Sequence, residues 1–159
     1  MLKTPSEPDP VRILLVDDSQ DMCSCLRSLV SASFGGLRCE VVAEAPTGLA
    51  GIYAAGSERP DLVILDGEMP VMDGLAALPH ILEAAPWARV VFHSANTAEF
   101  EALGLGAVAF VRKGDVEMLG QVLERLAEDV FAHPGASREG RSRILAGCCG
   151  VLAGGLATG

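Results

Sequence analysis

The sequence predicts an α/β fold in which a parallel five-stranded sheet is covered by helices on both faces. Short runs of aliphatic residues alternate along the chain with longer segments whose apolar residues recur at helical spacing. Strict alternation of this kind favours right-handed strand-helix-strand crossovers, which make the strands parallel. The aliphatic runs carry few charges, as expected for strands that are buried on both faces. The fold class is therefore a doubly wound α/β domain.

The predicted strands are rich in β-branched and aliphatic residues and are too short for helices. The first, VRILLV, ends at the acidic pair Asp17-Asp18, and the third ends at Asp66. Ser94 and Lys113 follow the ends of the fourth and fifth. The predicted strands span residues 11–16, 39–43, 61–65, 89–93 and 107–111.

A helix is predicted after each strand. In the first helix Met22, Leu26 and Leu29 recur at helical spacing, and Gly35-Gly36 end the segment. Pro79 is compatible with the third helix only in its first turn or at a kink. The predicted helices begin at residue 21 and, further along the chain, span residues 47–55, 75–85, 98–105 and 115–131.

Length and composition limit the possible functions. The chain has 159 residues, of which 50% are hydrophobic, and this suits one folded domain. Its formal net charge of −9 argues against binding to a nucleic-acid backbone. Residues 1–10 are polar and proline-rich and lack the apolar core of a signal peptide, so a cytoplasmic protein is expected. The five cysteines show no CxxC spacing and no paired histidine, which favours free thiols over metal ligation.

Five polar residues follow predicted strands at their carboxyl ends: Asp17, Asp18, Asp66, Ser94 and Lys113. In a parallel sheet these ends lie at one edge, where the binding sites of such folds form. Three neighbouring carboxylates repel one another unless a cation is present, and oxygen ligands of this kind suit Mg²⁺. A hydroxyl and an ammonium are what a phosphoryl group needs around its oxygens. The sequence therefore predicts a phosphoryl site that uses Mg²⁺.

The motifs that carry these residues resemble those of response regulator receiver domains, the CheY-like phosphoacceptors of two-component signalling. The resemblance covers about residues 11–132 and rests on four motifs in order: Asp17-Asp18, LDGEMPVMDG around Asp66, HSA at residues 93–95 and FVRKG at residues 110–114. It implies a three-layer, flavodoxin-like (βα)5 fold whose sheet has the strand order 2-1-3-4-5.

The resemblance implies a role for each site residue. Asp66 would be the nucleophile that accepts a phosphoryl group from a phosphohistidine, while Ser94 and Lys113 would bind the oxygens of that group. Asp18 and Asp66 would be direct ligands of Mg²⁺, and Asp17 would act mostly through water.

Three further residues enter through the same resemblance. The main-chain carbonyl of Glu68 would be another Mg²⁺ ligand, and Phe110 would be an aromatic switch residue behind the lysine. Glu68 and Asn96 flank the path of a water molecule to the acyl phosphate, so the lifetime of the phosphoryl group is expected to depend on them.

The implied partners are a sensor histidine kinase or phosphotransfer protein as donor, and an unidentified output protein. Phosphorylation would switch the surface of the fourth helix, fifth strand and fifth helix, which would bind the partner or a second copy of the chain. Binding to a membrane or to nucleic acid is not expected. On this interpretation the chain is a signalling domain and not an enzyme, beyond its own phosphotransfer and dephosphorylation.

The domain organisation follows from the extent of the resemblance. Residues 1–10 form an N-terminal extension, residues 11–132 the receiver, and residues 133–159 a Gly/Ala-rich tail that is expected to be disordered. A docking segment or the remnant of a truncated output region is the alternative for the tail. ALPHI (residues 77–81) and APWARVVFHSA (residues 85–95) look most like receivers of the NarL/FixJ type, although the tail is too short for their helix-turn-helix output domain.

Each polar site residue except Asp66, and the aromatic Phe110, is also compatible with a purely structural role. Asp17 and Asp18 could cap the following helix, Ser94 could be an ordinary loop hydroxyl, Lys113 a surface charge and Phe110 a plain core residue.

Two functions besides that of a phosphoacceptor remain open. The first is a phosphatase of the haloacid dehalogenase type, which likewise uses an aspartate nucleophile with Mg²⁺. That family needs a second aspartate as general acid two residues after the nucleophile, where this chain has Glu68. The second is a pseudo-receiver that acts as a scaffold without phosphorylation.

Overall fold

The computed structural model describes residues 8–32 and 36–133, and strands and helices alternate strictly along them. The strands are β1 (Val11–Val16), β2 (Cys39–Ala45), β3 (Leu62–Asp66), β4 (Arg89–Ser94) and β5 (Ala109–Arg112). The helices are α1 (Gln20–Ser31), α2 (Gly48–Glu58), α3 (Gly74–Ala84), α4 (Glu99–Gly104) and α5 (Val116–Ala132).

The strands form one parallel sheet with the order β2-β1-β3-β4-β5. This confirms the predicted fold class and the predicted strand order. The order reverses between β1 and β3, because the chain moves outward from β1 to β2 and then crosses back to the other side of β1. Binding sites in such sheets form outside the carboxyl ends of the strands that flank the reversal. Here those ends are Val16 and Asp66.

The core has two layers because the central strands alternate their side chains between the faces of the sheet. Leu14 and Leu65 pack toward α2, α3 and α4, whereas Ile13 and Ile64 pack toward α1 and α5. Every residue of β3 is buried. Full burial of one such aliphatic side chain contributes about 1.5–3 kcal/mol, so the strand that ends at Asp66 is firmly held.

Side-chain caps begin most of the helices. In four of them the N-cap side chain accepts a hydrogen bond from the backbone N–H three residues further on: Ser19, Thr47, Asp73 and Asp115. The alternative in which Asp17 or Asp18 caps α1 is therefore wrong, because Ser19 holds that position. Both carboxylates are left for another role.

Pro79 lies in the middle of α3 and not in its first turn. Because proline has no N–H, the carbonyl of Leu75 receives no helical hydrogen bond from it. Leu78 and Ile81 are fully buried on either side of the proline, so packing holds the helix together there.

Three cysteines lie in the described residues, and all three are free thiols, as predicted. Burial raises the pKa of Cys23 to about 11, helped by the charges of Glu44 and Asp17, and burial alone raises that of Cys39 to about 11. Thiolate, the form that binds metals, is therefore disfavoured at both positions.

Some predictions fall outside the described residues, namely those on residues 1–7 and on the tail from residue 134 onward, including Cys148-Cys149. Within residues 8–32 and 36–133, none of the helices is both long enough and apolar enough to cross a membrane.

Candidate functional site

Asp66 is the last residue of β3, and 1% of its surface is exposed. Its Oδ1 accepts a hydrogen bond of 2.9 Å from the backbone N–H of Glu68, so the turn after the strand holds the carboxylate. The neighbouring strand supports the same turn, since the N–H of Gly67 donates to the carbonyl of His93 at 3.1 Å. As the last residue of an apolar strand, Asp66 is therefore held in a fixed position at the edge of the sheet.

Two glycines allow the chain to fold tightly around Asp66. A Cβ atom on Gly74 would collide with the carbonyl oxygen of Asp66 and would lie 2.8 Å from the Cα of Gly67. A Cβ atom on Gly67 would lie 2.6 Å from the hydroxyl oxygen of Ser94. Gly74 is thus required by close approach of the backbone, and Gly67 by close approach of the side chain of Ser94.

Lys113 lies just after β5 and reaches the acidic residues from the far side of the pocket. Its Nζ is 2.8 Å from Oδ1 of Asp66 and 3.6 Å from Oδ2 of Asp17. Its backbone N–H donates to the carbonyl of Ser94 at 3.0 Å, which ties the end of β5 to the end of β4. With 20% of its side chain exposed, Lys113 is a pocket residue and not a solvated surface charge.

The acidic pair after β1 completes the cluster. Asp17 is buried and Asp18 is exposed. Oδ1 of Asp17 accepts a hydrogen bond of 2.8 Å from the backbone N–H of Ser19, which orients the carboxylate. One carboxylate oxygen from each of Asp17, Asp18 and Asp66 lies within 4.8 Å of the other two.

The pKa values reflect both burial and charge. Burial raises the pKa of Asp66 to about 6, against hydrogen bonds from Lys113 and from the N–H of Glu68, and the charge of Asp17 adds to the increase. Burial alone would lower the pKa of Lys113, but its hydrogen bond to Asp66 and the nearby carboxylate charges outweigh this, so its pKa is raised. Lys113 is therefore the cation that offsets part of the carboxylate charge.

The donor set fits Mg²⁺. Among the described residues, Oδ2 of Asp17 and Oδ2 of Asp66 are buried and accept no hydrogen bond. Three carboxylates face the single ammonium of Lys113, so the cluster keeps negative charge for a divalent cation. Hard oxygen donors with lone pairs to spare are what Mg²⁺ prefers.

Ser94 is the last residue of β4 and is buried, so it is not an ordinary loop hydroxyl. Its Oγ donates to Oε1 of Glu68 at 3.2 Å and accepts from the backbone N–H of Asn96 at 3.1 Å. The same Oε1 also accepts from the N–H of Asn96 at 3.1 Å. The sequence assigned the carbonyl of Glu68 to Mg²⁺ and placed Glu68 and Asn96 beside the path of water, but no pattern in it indicated the contact between the side chains of Glu68 and Ser94.

Phe110 lies on β5, three residues before Lys113, and is half-buried. Its ring stacks with that of Phe92, with centroids 6.2 Å apart and an angle of 21° between the planes. Phe110 therefore packs against the core, as the structural alternative for it predicted, and this is compatible with a switch role because a switching aromatic also packs.

His93 is a buried residue of the site region to which the sequence assigned no role. It pairs with Asp66 in the register of β3 and β4, and its Nδ1 makes no hydrogen bond within the described part of the chain. Burial and the charge of Lys113 lower the pKa of His93, against the charge of Asp17, so the imidazole is neutral at pH 7. The only sequence signal for it was a histidine that directly follows the apolar residues of β4.

Comparison with models of protein families shows which family the chain belongs to. The model of the response regulator receiver domain matches residues 13–125. The chain belongs to this family, and it is a receiver domain of a two-component system. The haloacid dehalogenase alternative is therefore wrong.

Individual proteins of known sequence or structure are similar to the chain over the same region. The chain is 40% identical over 127 residues to a protein-glutamate methylesterase/protein-glutamine glutaminase of Caldanaerobacter subterraneus subsp. tengcongensis, which covers 77% of this chain and 33% of the relative. The response regulator domain of Thermotoga maritima CheB superposes with a TM-score of 0.66 at 30% identity, covering 76% of this chain and 96% of that domain. The receiver domain of the putative response regulator NarL from Mycobacterium tuberculosis superposes with a TM-score of 0.67 at 26% identity, covering 76% and 98%.

These relatives correct the prediction that the chain is not an enzyme. Four curated relatives that the chain matches are named as enzymes, protein-glutamate methylesterase/protein-glutamine glutaminases, and none of these four bears a name of the NarL/FixJ type. The chain spans about a third of the length of the curated relatives that it matches.

Proposed function

We propose that this receiver accepts a phosphoryl group on Asp66 from the phosphohistidine of a sensor kinase or phosphotransfer protein. The observation that carries the proposal is the buried carboxylate of Asp66, 2.8 Å from the Nζ of Lys113 and grouped with Asp17 and Asp18 at the reversal of the sheet. A carboxylate oxygen of Asp66 would attack phosphorus, the bond from phosphorus to the imidazole nitrogen would break, and an acyl phosphate would form.

Each residue of the pocket has a part in this reaction. Asp17, Asp18 and Asp66, with the carbonyl of Glu68, would hold Mg²⁺, which when bound offsets charge on the phosphoryl oxygens. Lys113, which is paired with Asp66 before the reaction, would move its ammonium to a phosphoryl oxygen.

The other side of the pocket would transmit the change. Ser94 would donate its hydroxyl hydrogen to another phosphoryl oxygen, and the loop from Ser94 to Asn96 would follow. The backbone N–H of Lys113, which follows the same strand as Phe110, donates to the carbonyl of Ser94. A movement of the loop would therefore reach this strand, and the ring of Phe110 would move into the space that the loop leaves.

Exposed apolar residues support the predicted output surface of α4, β5 and α5, which would bind a partner or a second copy. It carries five exposed apolar residues on α4, on α5 and in the segment between α4 and β5: Phe100, Leu105, Val108, Val116 and Met118. The net charge of −9 disfavours nonspecific binding to the nucleic-acid backbone, so we expect a protein partner. We also expect the protein to act in the cytoplasm.

We propose that the output unit is a catalytic unit of the protein-glutamate methylesterase/protein-glutamine glutaminase kind, in the same protein or a separate one. The names of the curated relatives support this, and they favour a receiver of that type over one of the NarL/FixJ type. We also propose that the receiver spans residues 11–132. If this assignment of the output unit is correct, phosphorylation of the chain will change its affinity for such a catalytic unit several-fold. A calorimetric titration measures this affinity.

The test of the phosphoacceptor role is the intact mass of the chain after incubation with Mg²⁺ and acetyl phosphate, next to the Asp66→Asn variant. A gain of one phosphoryl group in the wild type alone supports the proposal. A gain in both proteins would show that a residue other than Asp66 accepts the phosphoryl group. No gain in either, although Mg²⁺ binds, would favour the scaffold alternative.

A further inference from the structure

The side chain of Glu68 bridges the two loops that border the phosphoryl site. Its backbone N–H donates to Oδ1 of Asp66 at 2.9 Å, so the residue belongs to the turn of the nucleophile. Its Oε1 crosses to the loop after β4 and accepts from the hydroxyl of Ser94 and from the N–H of Asn96. The carboxylate of Glu68 thus holds the group that the proposed function assigns to a phosphoryl oxygen.

We propose that Glu68 is a positioning residue that occupies Ser94 in the unmodified protein and competes with the phosphoryl group for its hydroxyl. This inference rests on the proposed function. Glu68 keeps the loop after β4 closed on the turn of Asp66 and sets how strongly the site binds the phosphoryl group.

The competition follows from the hydrogen-bonding capacity of serine. A hydroxyl has one hydrogen to donate, so Ser94 donates either to Glu68 or to a phosphoryl oxygen, and not to both. Ser94 is 1% exposed and has no access to solvent as a substitute partner. A buried hydroxyl without an acceptor is costly, and Glu68 supplies that acceptor until the phosphoryl group arrives.

Charge drives the exchange in one direction. A phosphoryl group carries about −1.5 to −2 charge at pH 7 and would repel the carboxylate of Glu68 across the same pocket. Glu68 is exposed, so water can solvate its carboxylate once the hydrogen bonds break. Ser94 and Asn96 then lose this acceptor together, because both donate to the one oxygen, Oε1, and the N–H of Asn96 also donates to Oγ of Ser94, which links the two groups.

Beryllofluoride, a stable mimic of the phosphoryl group, measures this competition directly. We expect Glu68→Ala to tighten the binding of beryllofluoride to the full chain in Mg²⁺ about tenfold, because Ser94 is no longer occupied. Glu68→Gln keeps an oxygen acceptor for Ser94 and Asn96 but loses the charge. Its affinity for beryllofluoride should lie between those of the wild type and Glu68→Ala. Glu83→Ala removes an exposed carboxylate on α3 and should leave the affinity unchanged.

A double-mutant cycle with Ser94→Ala separates competition for the hydroxyl from simple loss of charge. If Glu68 acts through Ser94, Glu68→Ala should tighten binding by less than about twofold in the Ser94→Ala background. An equal effect of Glu68→Ala in both backgrounds would overturn the role of Glu68, because charge alone would then explain it. The amide signal of Asn96 in the Mg²⁺-free protein should also shift in Glu68→Ala and stay close to its wild-type position in Glu68→Gln.

The outcome distinguishes this role from the proposed function itself. A wild-type chain that takes up neither beryllofluoride nor a phosphoryl group would overturn both. A wild-type chain that takes them up, with affinity unaffected by Glu68→Ala, would overturn only the role of Glu68.

Discussion

The Nζ of Lys113 lies 2.8 Å from Oδ1 of Asp66, and this ion pair joins the end of β5 to the end of β3 across β4. The pair is buried on the side of Asp66 and partly open on the side of Lys113, whose side chain is 20% exposed. Because Asp17 and Asp18 add two further carboxylates, the lysine offsets only part of the charge. The unmodified site is therefore electrostatically unfavourable, which has measurable consequences.

Asp66→Asn should raise the free energy of unfolding at pH 7 without Mg²⁺ by about 1–3 kcal/mol. The pKa of Asp66 is raised from 3.8 to about 6, so the folded protein holds this proton more tightly than the unfolded chain. Ionisation of Asp66 therefore costs stability as the pH rises from about 4 to about 6, and in full above that. The asparagine variant avoids this cost, so its advantage should vanish below about pH 4 in urea denaturation measured across pH.

Asp18→Asn is the matched control, because it removes an exposed carboxylate of the same cluster. Its stability at pH 7 without Mg²⁺ should stay within about 0.5 kcal/mol of the wild type. Equal stabilisation by both variants would show that crowding of the charges, and not burial of Asp66, dominates.

Lys113→Met should raise the pKa of Asp66 above its value of about 6, because the hydrogen bond and charge of Lys113 both lower it. Methionine keeps most of the aliphatic packing and removes the charge. The variant should still bind Mg²⁺, since the carboxylates remain, but phosphorylation should no longer change partner affinity. Carbon-13 NMR of the aspartate carboxyls in Mg²⁺-free buffer measures the titration, with Arg125→Met on α5 as a control that should leave it unchanged.

Val71→Asn should stabilise the fold by about 1 kcal/mol. Val71 has a φ of 70°, a left-handed conformation that a β-branched residue rarely adopts, and its side chain is fully exposed, so no packing is lost. Asparagine tolerates this conformation far better. The midpoint of thermal unfolding should rise by about 3 °C, whereas Val116→Asn, at an exposed helical valine, should give no gain.

Gly74→Ala should destabilise the protein by about 1–3 kcal/mol and weaken the binding of Mg²⁺. The new Cβ atom would collide with the carbonyl of Asp66, so the turn that holds the carboxylate has to shift. Gly104→Ala places a methyl group where nothing lies within 4 Å and should be neutral or slightly stabilising. Unfolding in urea and a Mg²⁺ titration of both variants measure the difference.

The sequence by itself determined the fold class, the strand order through its family resemblance, and which polar residues follow the strands. These were predictable because burial between two helix layers demands aliphatic strands, and because parallel strands bring their carboxyl ends to one edge. The acids and Lys113 could be placed there from spacing alone. Ser19 as the cap of α1 was hidden, since the neighbouring aspartates are equally good caps.

The tertiary structure decided what the side chains contact. The bridge from Glu68 to Ser94 and Asn96 joins residues 26 and 28 positions apart, and the approach of Gly74 to the carbonyl of Asp66 depends on the path of the turn. The burial that raises the pKa of Asp66 likewise comes from packing of whole elements. No local pattern encodes such contacts, because they depend on distances between strands and loops that only the folded chain brings together.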